Sequence, residues 1–496
     1  MQSTSTLYPA SANASDRDGQ GAWAARMSPG TWLVAGVLVT ALSGNRFNIA
    51  PLAWIATVPF LVHLRLTSGW KARVWLLLAL QLGVGIQVAK IVTSPVPFGM
   101  APAFSIPMAC ATWALFVAFE WLRRRLGDGW GLGIYPALTV VSEWLSCQAS
   151  PLGAWGIAAG TQLDNLTLLQ VTALFGVTAI GLLTAAVNAV VALMLCELRP
   201  SRWAAHAVVI GTVLLGSYGY GAIRLQQPAA GPHLLVAAIV SDLDLGPQLP
   251  SPAAVVRGTD ALFARTRLAA KRGAKLMVWN EGATAIRRPD EPAFIARGQS
   301  LARDLGIDLV MAYIVPLQGL ARFDNKYVWV GPEGHVETYL KHHPVPGEGA
   351  TRGGEPISVH SRPWGRAAGA ICYDYDFPAL GLAHARGRAG IVVVPSSDWR
   401  GVDLYHGWMA RLRGIEGGFS VLRPVRWATS GAFDARGRTR ASLSHFEDSD
   451  RVMLASLPVR RTPTLYARTG DVLPLLCVGL LVVAVGIALA SRRVRA

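Results

Sequence analysis

The chain has 496 residues, of which 52% are hydrophobic and only 15% are charged, and its mean hydropathy is +0.36. This composition excludes an ordinary soluble protein and indicates a membrane protein. The formal net charge of +16 would also suit nucleic-acid binding, but the long apolar segments favour a surface that faces anionic lipid.

The N-terminal half consists of a polar tail and a series of apolar segments. Residues 1–28 are rich in Ser, Ala and Gly and lack the apolar core of a cleavable signal, which predicts a disordered tail. Most of the segments that follow approach the roughly 20 residues needed to span a bilayer. They lie near residues 30–44, 49–64, 74–93, 100–122, 130–148, 165–196 and 203–223. The sequence therefore predicts a bundle of about seven transmembrane helices over residues 29–223. The first two segments are short, so one long hairpin or a re-entrant pair would give nearly the same pattern.

An eighth apolar run is followed by the basic sequence SRRVRA, which is typical of a stop-transfer segment. It predicts a C-terminal transmembrane helix over residues 471–491 and a basic tail over 492–496. With seven spans before residue 224 and one after residue 470, four clusters of Lys and Arg fall on one side of the membrane, which is the cytoplasmic side by the positive-inside rule. These clusters are Arg65 with Lys71 and Arg73, Arg123 with Arg124 and Arg125, Arg199 with Arg202, and Arg492 with Arg493 and Arg495. Both tails are then cytoplasmic, and residues 224–470 are exported.

The exported segment, residues 224–470, differs in kind from the rest of the chain. It carries most of the acidic residues, and short apolar strand candidates such as HLLVAAIVSD, KLMVWN and GIVVVPS alternate with helix-like stretches such as AAVVRGTDALFARTRLAAKRG. This alternation predicts an α/β domain, and about 245 residues are enough to bury one sizeable core.

The five cysteines, at positions 110, 147, 196, 372 and 477, lack the spacing of a zinc site or of a disulfide framework. All except Cys372 fall in apolar segments, where Cys behaves as a small hydrophobe. His342, His343 and His406 also lack the spacing of metal ligands. The sequence therefore predicts no metal and no diffusible cofactor, and it leaves Cys372 as the one thiol in a globular stretch.

Three short strand ends of the exported segment carry reactive side chains. VWNEGA contains Glu281, YLKHHPVPGEGA contains Lys341 and Glu348, and GAICYD contains Cys372. A thiolate can attack a carbonyl, a carboxylate can move the proton, and an ammonium can stabilise the oxyanion. Taken singly, each residue has a structural explanation, because Glu and Lys are usually surface residues and a Cys at a strand end is usually core.

The order and spacing of these residues resemble the Glu-Lys-Cys triad of the carbon–nitrogen hydrolase (nitrilase) superfamily, whose fold is an αββα sandwich. Almost the whole chain beyond the tail resembles one branch of that superfamily more closely, the apolipoprotein N-acyltransferases. The resemblance rests on SPLGAWGIAAGTQLDNLTLLQVTALFGVTAIGLL in the membrane half, and on ICYDYDFP and YHGWMARLRGIEGGFSVLRPVRWATSGAFDARGR in the exported segment. Eight spans with the α/β domain inserted before the last are also that family's layout.

This resemblance implies a role for each matching residue. Cys372 would be the nucleophile that becomes a thioester, Glu281 the general base and Lys341 the cation that stabilises the oxyanion. Glu348 would be an accessory acid, and Tyr373 and Asp374 would line the pocket behind the thiol.

The resemblance also implies the substrates and the location. The enzyme would be a multi-pass protein of the bacterial inner membrane, a monomer, with its catalytic domain on the periplasmic side. A phospholipid would donate the acyl chain, and the N-terminal amine of a diacylglyceryl-cysteine lipoprotein would accept it; nucleic acid is not an expected partner.

Several positions depart from the family pattern and leave alternatives open. Asn280 stands where the family has Pro, Asp374 stands where it commonly has Glu, the PGE run is one residue short, and SSDWRG replaces an NDAWFG-like segment. The alternatives are a divergent paralogue with another acyl acceptor, a membrane-tethered amidase that hydrolyses C–N bonds with the same triad, and an inactive lipid- or lipoprotein-binding relative.

Overall fold

The computed structural model describes residues 23–228, 231–245, 248–318 and 321–493. The predicted tail over residues 1–28 therefore lies largely outside the described residues, and its described part contains one 3-10 turn, Trp23–Arg26. The end of the predicted basic tail, residues 494–496, lies outside them as well.

The membrane half is helical in each of the seven predicted apolar segments. Its α-helices are α1 (Pro29–Leu42), α2 (Val58–Leu66), α3 (Gly69–Ala89), α4 (Ala101–Leu126), α5 (Asp128–Ala149), α6 (Leu166–Leu169), α7 (Thr172–Phe175), α8 (Thr178–Cys196) and α9 (Ala204–Gln226).

Five helical segments of the described chain are long and apolar enough to cross a membrane. They are Gly69–Ala89, Phe98–Leu126, Thr178–Cys196, Ala204–Gln226 and, near the C-terminus, Val472–Ser491. Pro29–Leu42 and Ala50–Leu66 are apolar but shorter. All eight predicted segments thus contain helix, but the count of eight spans is not confirmed.

The second apolar segment is an interrupted helix, and one buried side chain forms hydrogen bonds with the backbone groups at the interruption. A 3-10 turn over Ala50–Trp54 precedes α2. Asn188 of α8 accepts hydrogen bonds from the backbone N–H groups of Thr57 and Val58, at 2.8 and 3.2 Å, and donates one to the carbonyl of Ala53 at 3.1 Å. These bonds satisfy backbone groups that the interrupted helix leaves free, which a membrane interior requires.

The α/β domain contains two six-stranded sheets. The strand order is β14-β1-β2-β3-β4-β5 in the first sheet and β13-β12-β10-β8-β7-β6 in the second, while β9 and β11 form a separate pair. The first-sheet strands up to β5 are β1 (His233–Ile239), β2 (Leu276–Trp279), β3 (Asp308–Gln318), β4 (Arg322–Gly331) and β5 (Gly334–Leu340). The remaining strands are β6 (His360–Arg362), β7 (Gly365–Gly369), β8 (Ile391–Val393), β9 (Ser396–Ser397), β10 (Ser420–Arg423), β11 (Val425–Arg426), β12 (Thr429–Phe433), β13 (Thr439–Ser444) and β14 (Val452–Pro458).

Helices cover the outer faces of both sheets. They are α10 (Pro252–Lys271), α11 (Glu291–Leu305), α12 (Pro378–Arg386) and α13 (Tyr405–Gly417). After the last strand, the short helix α14 (Leu465–Thr469) leads to α15 (Val472–Arg493), which packs against the helices of the membrane half. Along β1, Val236 and Ala238 face the second sheet, whereas Ala237 and Ile239 face α10, because side chains alternate between the two faces of a strand. The predicted αββα sandwich is confirmed.

The two halves of the protein share an apolar contact. Met409, Leu412 and Ile415 on α13 pack against Leu168 and Ile180 of the membrane half in one buried cluster. The α/β domain is therefore docked directly on the helical half.

Candidate active site

A cavity of about 620 Å³ lies between the helical half and the α/β domain. Cys372, Glu281, Lys341, Glu348 and Tyr373 all line it. The opposite wall is apolar and comes from α3, α4 and the loop that joins them. Its residues include Val88, Ile91, Val92, Val96, Phe104 and Met108. The cavity has the volume typical of a small-molecule site, with a few polar groups on an apolar surface.

The sheet topology explains why residues distant in sequence meet here. Glu281 lies two residues beyond the end of β2, and Lys341 directly follows β5, both in the first sheet. Cys372 lies three residues beyond the end of β7 in the second sheet. Because the two sheets pack face to face, these strand ends meet at one edge of the sandwich, as is common for sites in α/β folds.

A lysine held between two carboxylates forms the polar floor of the cavity. The ammonium of Lys341 donates to Glu281 Oε1 and to Glu348 Oε2, each at 2.8 Å, and only 2% of Lys341 is exposed. Asn325 Nδ2 bridges the same two carboxylates at 2.7 and 2.9 Å. Although burial alone lowers the pKa of Lys341, Glu281 and Glu348 outweigh it and raise that pKa well above its usual range. Lys341 is therefore a permanent cation.

Cys372 combines an unusual backbone conformation with a buried thiol. Its φ of 47° lies in the left-handed region, where a non-glycine residue is strained by about 1–2 kcal/mol. The sharp bend turns the side chain towards the carbonyl of Ser397 and Asp398 Oδ1, each 3.8 Å from Sγ. Burial raises the pKa of the Cys372 thiol well above its usual range; Glu281 and Asp398 raise it further, while Lys341 lowers it. The resting thiol is therefore protonated, and a reaction in which it served as a nucleophile would first require a base to remove its proton.

Glu281 is the carboxylate that binds the loop in contact with the thiol. Its Oε2 accepts a hydrogen bond at 2.8 Å from the backbone N–H of Ser397, whose carbonyl contacts the thiol. The neighbouring Asn280 accepts from the N–H of Ser241 at 2.7 Å and donates to the carbonyl of Glu281 at 2.8 Å. Asn280, one of the departures from the family pattern, thus fixes the backbone that carries Glu281.

Of the two residues predicted to line the pocket behind the thiol, Tyr373 lines the cavity and Asp374 does not. Tyr373 lines the cavity, and its hydroxyl donates to the carbonyl of Pro151 in the helical half at 3.0 Å. Asp374 is fully buried beneath the cavity and does not contribute to its described lining. Its carboxylate accepts from the N–H groups of Ile371 and His343, at 3.0 and 2.7 Å, and from the hydroxyl of Tyr339 at 2.8 Å. Asp374 therefore holds the turn that carries Cys372 rather than lining the pocket as expected.

A buried ionic network, not predicted from the sequence, lies behind the thiol. His406 lies between Asp398 and Asp376, at 2.8 and 2.9 Å, and Arg423 donates to both oxygens of Asp398 at 3.0 and 2.9 Å. Burial raises the pKa of Asp398, but Arg423 and His406 outweigh it and lower that pKa to about 2. Burial lowers the pKa of His406, but Asp376 and Asp398 raise it to about 9.

The Cys372 thiol, Asp398 and His406 lie close enough to be considered as metal ligands, since one ligand atom of each falls within 4.8 Å of the others. However, both ring nitrogens of His406 already have carboxylate partners, and Arg423 is directed at Asp398. This donor set fits an imidazolium better than a neutral imidazole ligand. No motif spacing signals this cluster, since its residues come from separate elements.

Comparisons with known proteins match both halves of the chain. A family model described as "Apolipoprotein N-acyltransferase N-terminal domain" matches residues 35–190, and one described as "Carbon-nitrogen hydrolase" matches residues 229–464. A protein named "Apolipoprotein N-acyltransferase" from Geobacter metallireducens is 27% identical, over 93% of this chain and 95% of its own length. Proteins of the same name from Methylococcus capsulatus (27% identical, 82% of this chain and 85% of the relative) and Bradyrhizobium diazoefficiens (28%, 73% of each) also match. Among solved structures, an amidase from Nesterenkonia sp. is 20% identical with a TM-score of 0.39, and it covers 48% of this chain and 94% of the amidase chain.

Proposed function

We propose that this chain, which belongs to the family of apolipoprotein N-acyltransferases, moves a fatty acyl chain from a phospholipid to the N-terminal amine of a diacylglyceryl-cysteine lipoprotein. The observation that carries the proposal is the shared cavity, in which the Glu281, Lys341 and Cys372 side chains face an apolar wall built by α3 and α4. An acyl chain is insoluble in water, so a nucleophile that acts on it gains from a pocket continuous with apolar helices.

In the first half-reaction, Glu281 takes the proton of the Cys372 thiol, and the thiolate attacks the ester carbonyl of the phospholipid. Lys341 stabilises the oxyanion of the tetrahedral intermediate. The intermediate collapses, the C–O bond breaks, and Glu281 returns the proton to the departing lysophospholipid oxygen. The acyl group remains on Cys372 as a thioester.

In the second half-reaction, the amine of the lipoprotein attacks the thioester carbonyl. Glu281 accepts a proton from the amine, and Lys341 again stabilises the oxyanion. The C–S bond then breaks to give an amide, and Glu281 returns the proton to the departing thiolate, which restores the free thiol. Glu348 keeps Lys341 in place during both steps through its contact at 2.8 Å. Water must be excluded while the thioester exists, and the apolar wall serves this purpose.

The protein is a bacterial membrane protein, and we place it in the inner membrane with the α/β domain on the periplasmic side. The loops that carry the predicted clusters of Lys and Arg support this orientation, since basic residues favour the cytoplasmic side. Labelling of single cysteines introduced at Arg287 in the α/β domain and at Arg199, with a membrane-impermeant reagent in intact cells, tests it. Labelling at position 199 rather than at position 287 would reverse the assignment.

Incubation of the purified protein with phosphatidylethanolamine that carries a labelled acyl chain tests the proposed reaction. We expect a labelled thioester on Cys372, absent in C372S, that is discharged by a diacylglyceryl-cysteine peptide to form an N-acyl peptide. A thioester that is discharged only by water, or ammonia release from small amides without any thioester from phospholipid, would instead support the amidase alternative.

A further inference from the structure

A cleft of about 720 Å³ on the α/β domain is lined by arginines. It shares no lining residue with the cavity that contains Cys372. The arginines are Arg366, Arg386, Arg388, Arg460, Arg461 and Arg468. Apolar residues, among them Trp364 and Val459, complete the lining, and no acidic residue is among those that the structure describes there.

These arginines lack the carboxylate partners that other arginines of the domain have. Within the described chain none of the six takes part in an ion pair. Arg366 donates to the carbonyl of Gly387 at 3.2 Å and Arg461 to that of Gly417 at 3.0 Å, which positions both guanidinium groups without neutralising them. Burial and the repulsion from Arg388 and Arg468 lower the pKa of Arg461. The cleft is therefore a concentration of positive charge to which an anion is the complementary ligand.

The cleft lies far from the reactive thiol. Arg366 is at the start of β7, and Cys372 follows the end of the same strand, six residues later. At about 3.3 Å per residue, the two are roughly 20 Å apart. An anion bound here is therefore not the acyl donor that reacts with Cys372.

The cleft borders the points at which the chain passes between the domain and the helical half. Arg468 is in α14, four residues before α15 begins, and Pro232, on the opposite border, follows α9 by six residues. Gly470, the link between α14 and α15, lies against Arg386, since a Cβ at Gly470 would come within 2.7 Å of its guanidinium group. The length and composition of α15 are those of a membrane span, which would place its start, and the cleft beside it, near the lipid headgroups.

We propose that the arginine cleft binds the phosphate-bearing headgroup of an anionic phospholipid beside α15. Planar guanidinium groups suit phosphate oxygens through paired hydrogen bonds, and the apolar residues between them suit the glycerol and the upper acyl carbons. The bound lipid acts as an anchor that fixes the α/β domain against the bilayer. This binding does not depend on the acyl transfer proposed above.

The test uses the purified full-length protein and two short-chain probes, dioctanoyl-phosphatidylglycerol and dioctanoyl-phosphatidylcholine, with binding followed by native mass spectrometry. The variant R386Q/R388Q/R468Q removes three charges from the cleft. The matched control R257Q/R267Q/K271Q removes three exposed basic residues of α10 that have no ion pair in the described chain. Thermal unfolding followed by tryptophan fluorescence verifies that each variant is folded. Inorganic phosphate in a separate arm distinguishes a lipid headgroup from free phosphate.

We expect selective binding of phosphatidylglycerol that the control retains and the cleft variant loses by roughly 100-fold, since each basic residue near an anionic lipid contributes about fivefold. Inorganic phosphate should compete only weakly. Equal binding of both lipids, or equal binding by the cleft variant and the control, would overturn the proposal. Phosphate that binds as tightly as phosphatidylglycerol would assign the cleft to a free anion and overturn the lipid assignment.

Discussion

Replacing Lys341 by methionine tests the central feature of the site, an ammonium between two carboxylates. In K341M, Glu281 and Glu348 lose a shared cation that lies 2.8 Å from each, in a place where the lysine is 2% exposed. Leaving a buried charge without its partner costs about 3–5 kcal/mol, and since Glu348 is partly accessible, we expect the lower end, about 3 kcal/mol. For a domain of this size, that loss lowers the Tm by roughly 6–12 °C.

The same change removes the proposed oxyanion stabiliser. Loss of one such donor lowers the rate of acyl transfer by about 100- to 1000-fold. Because Lys341 also lowers the pKa of the Cys372 thiol, K341M should react more slowly with iodoacetamide as well. Thermal unfolding followed by tryptophan fluorescence gives the stability, and mass spectrometry of Cys372 after exposure to labelled phosphatidylethanolamine gives the rate.

A second lysine in the same sheet provides the matched control. Lys326 on β4 is also buried and forms an ion pair with Glu291, but it does not line the cavity. K326M should lose stability without losing the rate of thioester formation. In K341M/E348Q, one of the two unpaired charges is gone, so stability should partly recover while the rate stays low. If K341M forms the thioester as fast as K326M, the role of Lys341 is refuted.

Three further predictions concern the network and the turn behind the thiol. The pKa of His406 is raised to about 9, so its imidazolium stabilises the folded state, and this contribution is complete below pH 6.5. As the pH rises through 9, the free energy of unfolding should fall by about 3 kcal/mol. In H406Q, denaturant titrations between these pH values should show a smaller fall. Asp398→Asn removes a charge that raises the pKa of the reactive thiol, so iodoacetamide should label that thiol faster at neutral pH, and slower labelling would contradict the network. In G153A, a residue with φ of 55° would gain a Cβ 2.8 Å from the carbonyl of Asp376, so stability should fall by about 1–2 kcal/mol, whereas G129A, where a Cβ meets nothing within 4 Å, should be neutral.

The site residues that follow a recognisable local sequence pattern could be predicted from the sequence. Those that meet only through tertiary packing could not. Glu281, Lys341 and Cys372 each follow the end of a short strand, so the local sequence indicated both the α/β fold and the residues that line the cavity. Asp398 and His406 belong to different elements and carry no diagnostic spacing, so their pairing depends on how α13 packs beside the second sheet. The number of membrane spans could not be determined from the hydropathy pattern either, because helices such as α1 are apolar but shorter than a typical span.

The turn that carries Cys372 is in direct contact with the helical half. In the helical half, the backbone N–H of Ala154 donates to the carbonyl of Asp376, and Trp155 Nε1 donates to its carboxylate, each at 2.9 Å. Asp376 ends the short turn that begins at Cys372, and its carboxylate also holds His406. Displacement of the helical half would therefore loosen the turn that carries the thiol and free one partner of the buried imidazolium. The proposed role of Cys372 would thus depend on contact between the α/β domain and the helical half, which is consistent with the acyl transfer proposed above.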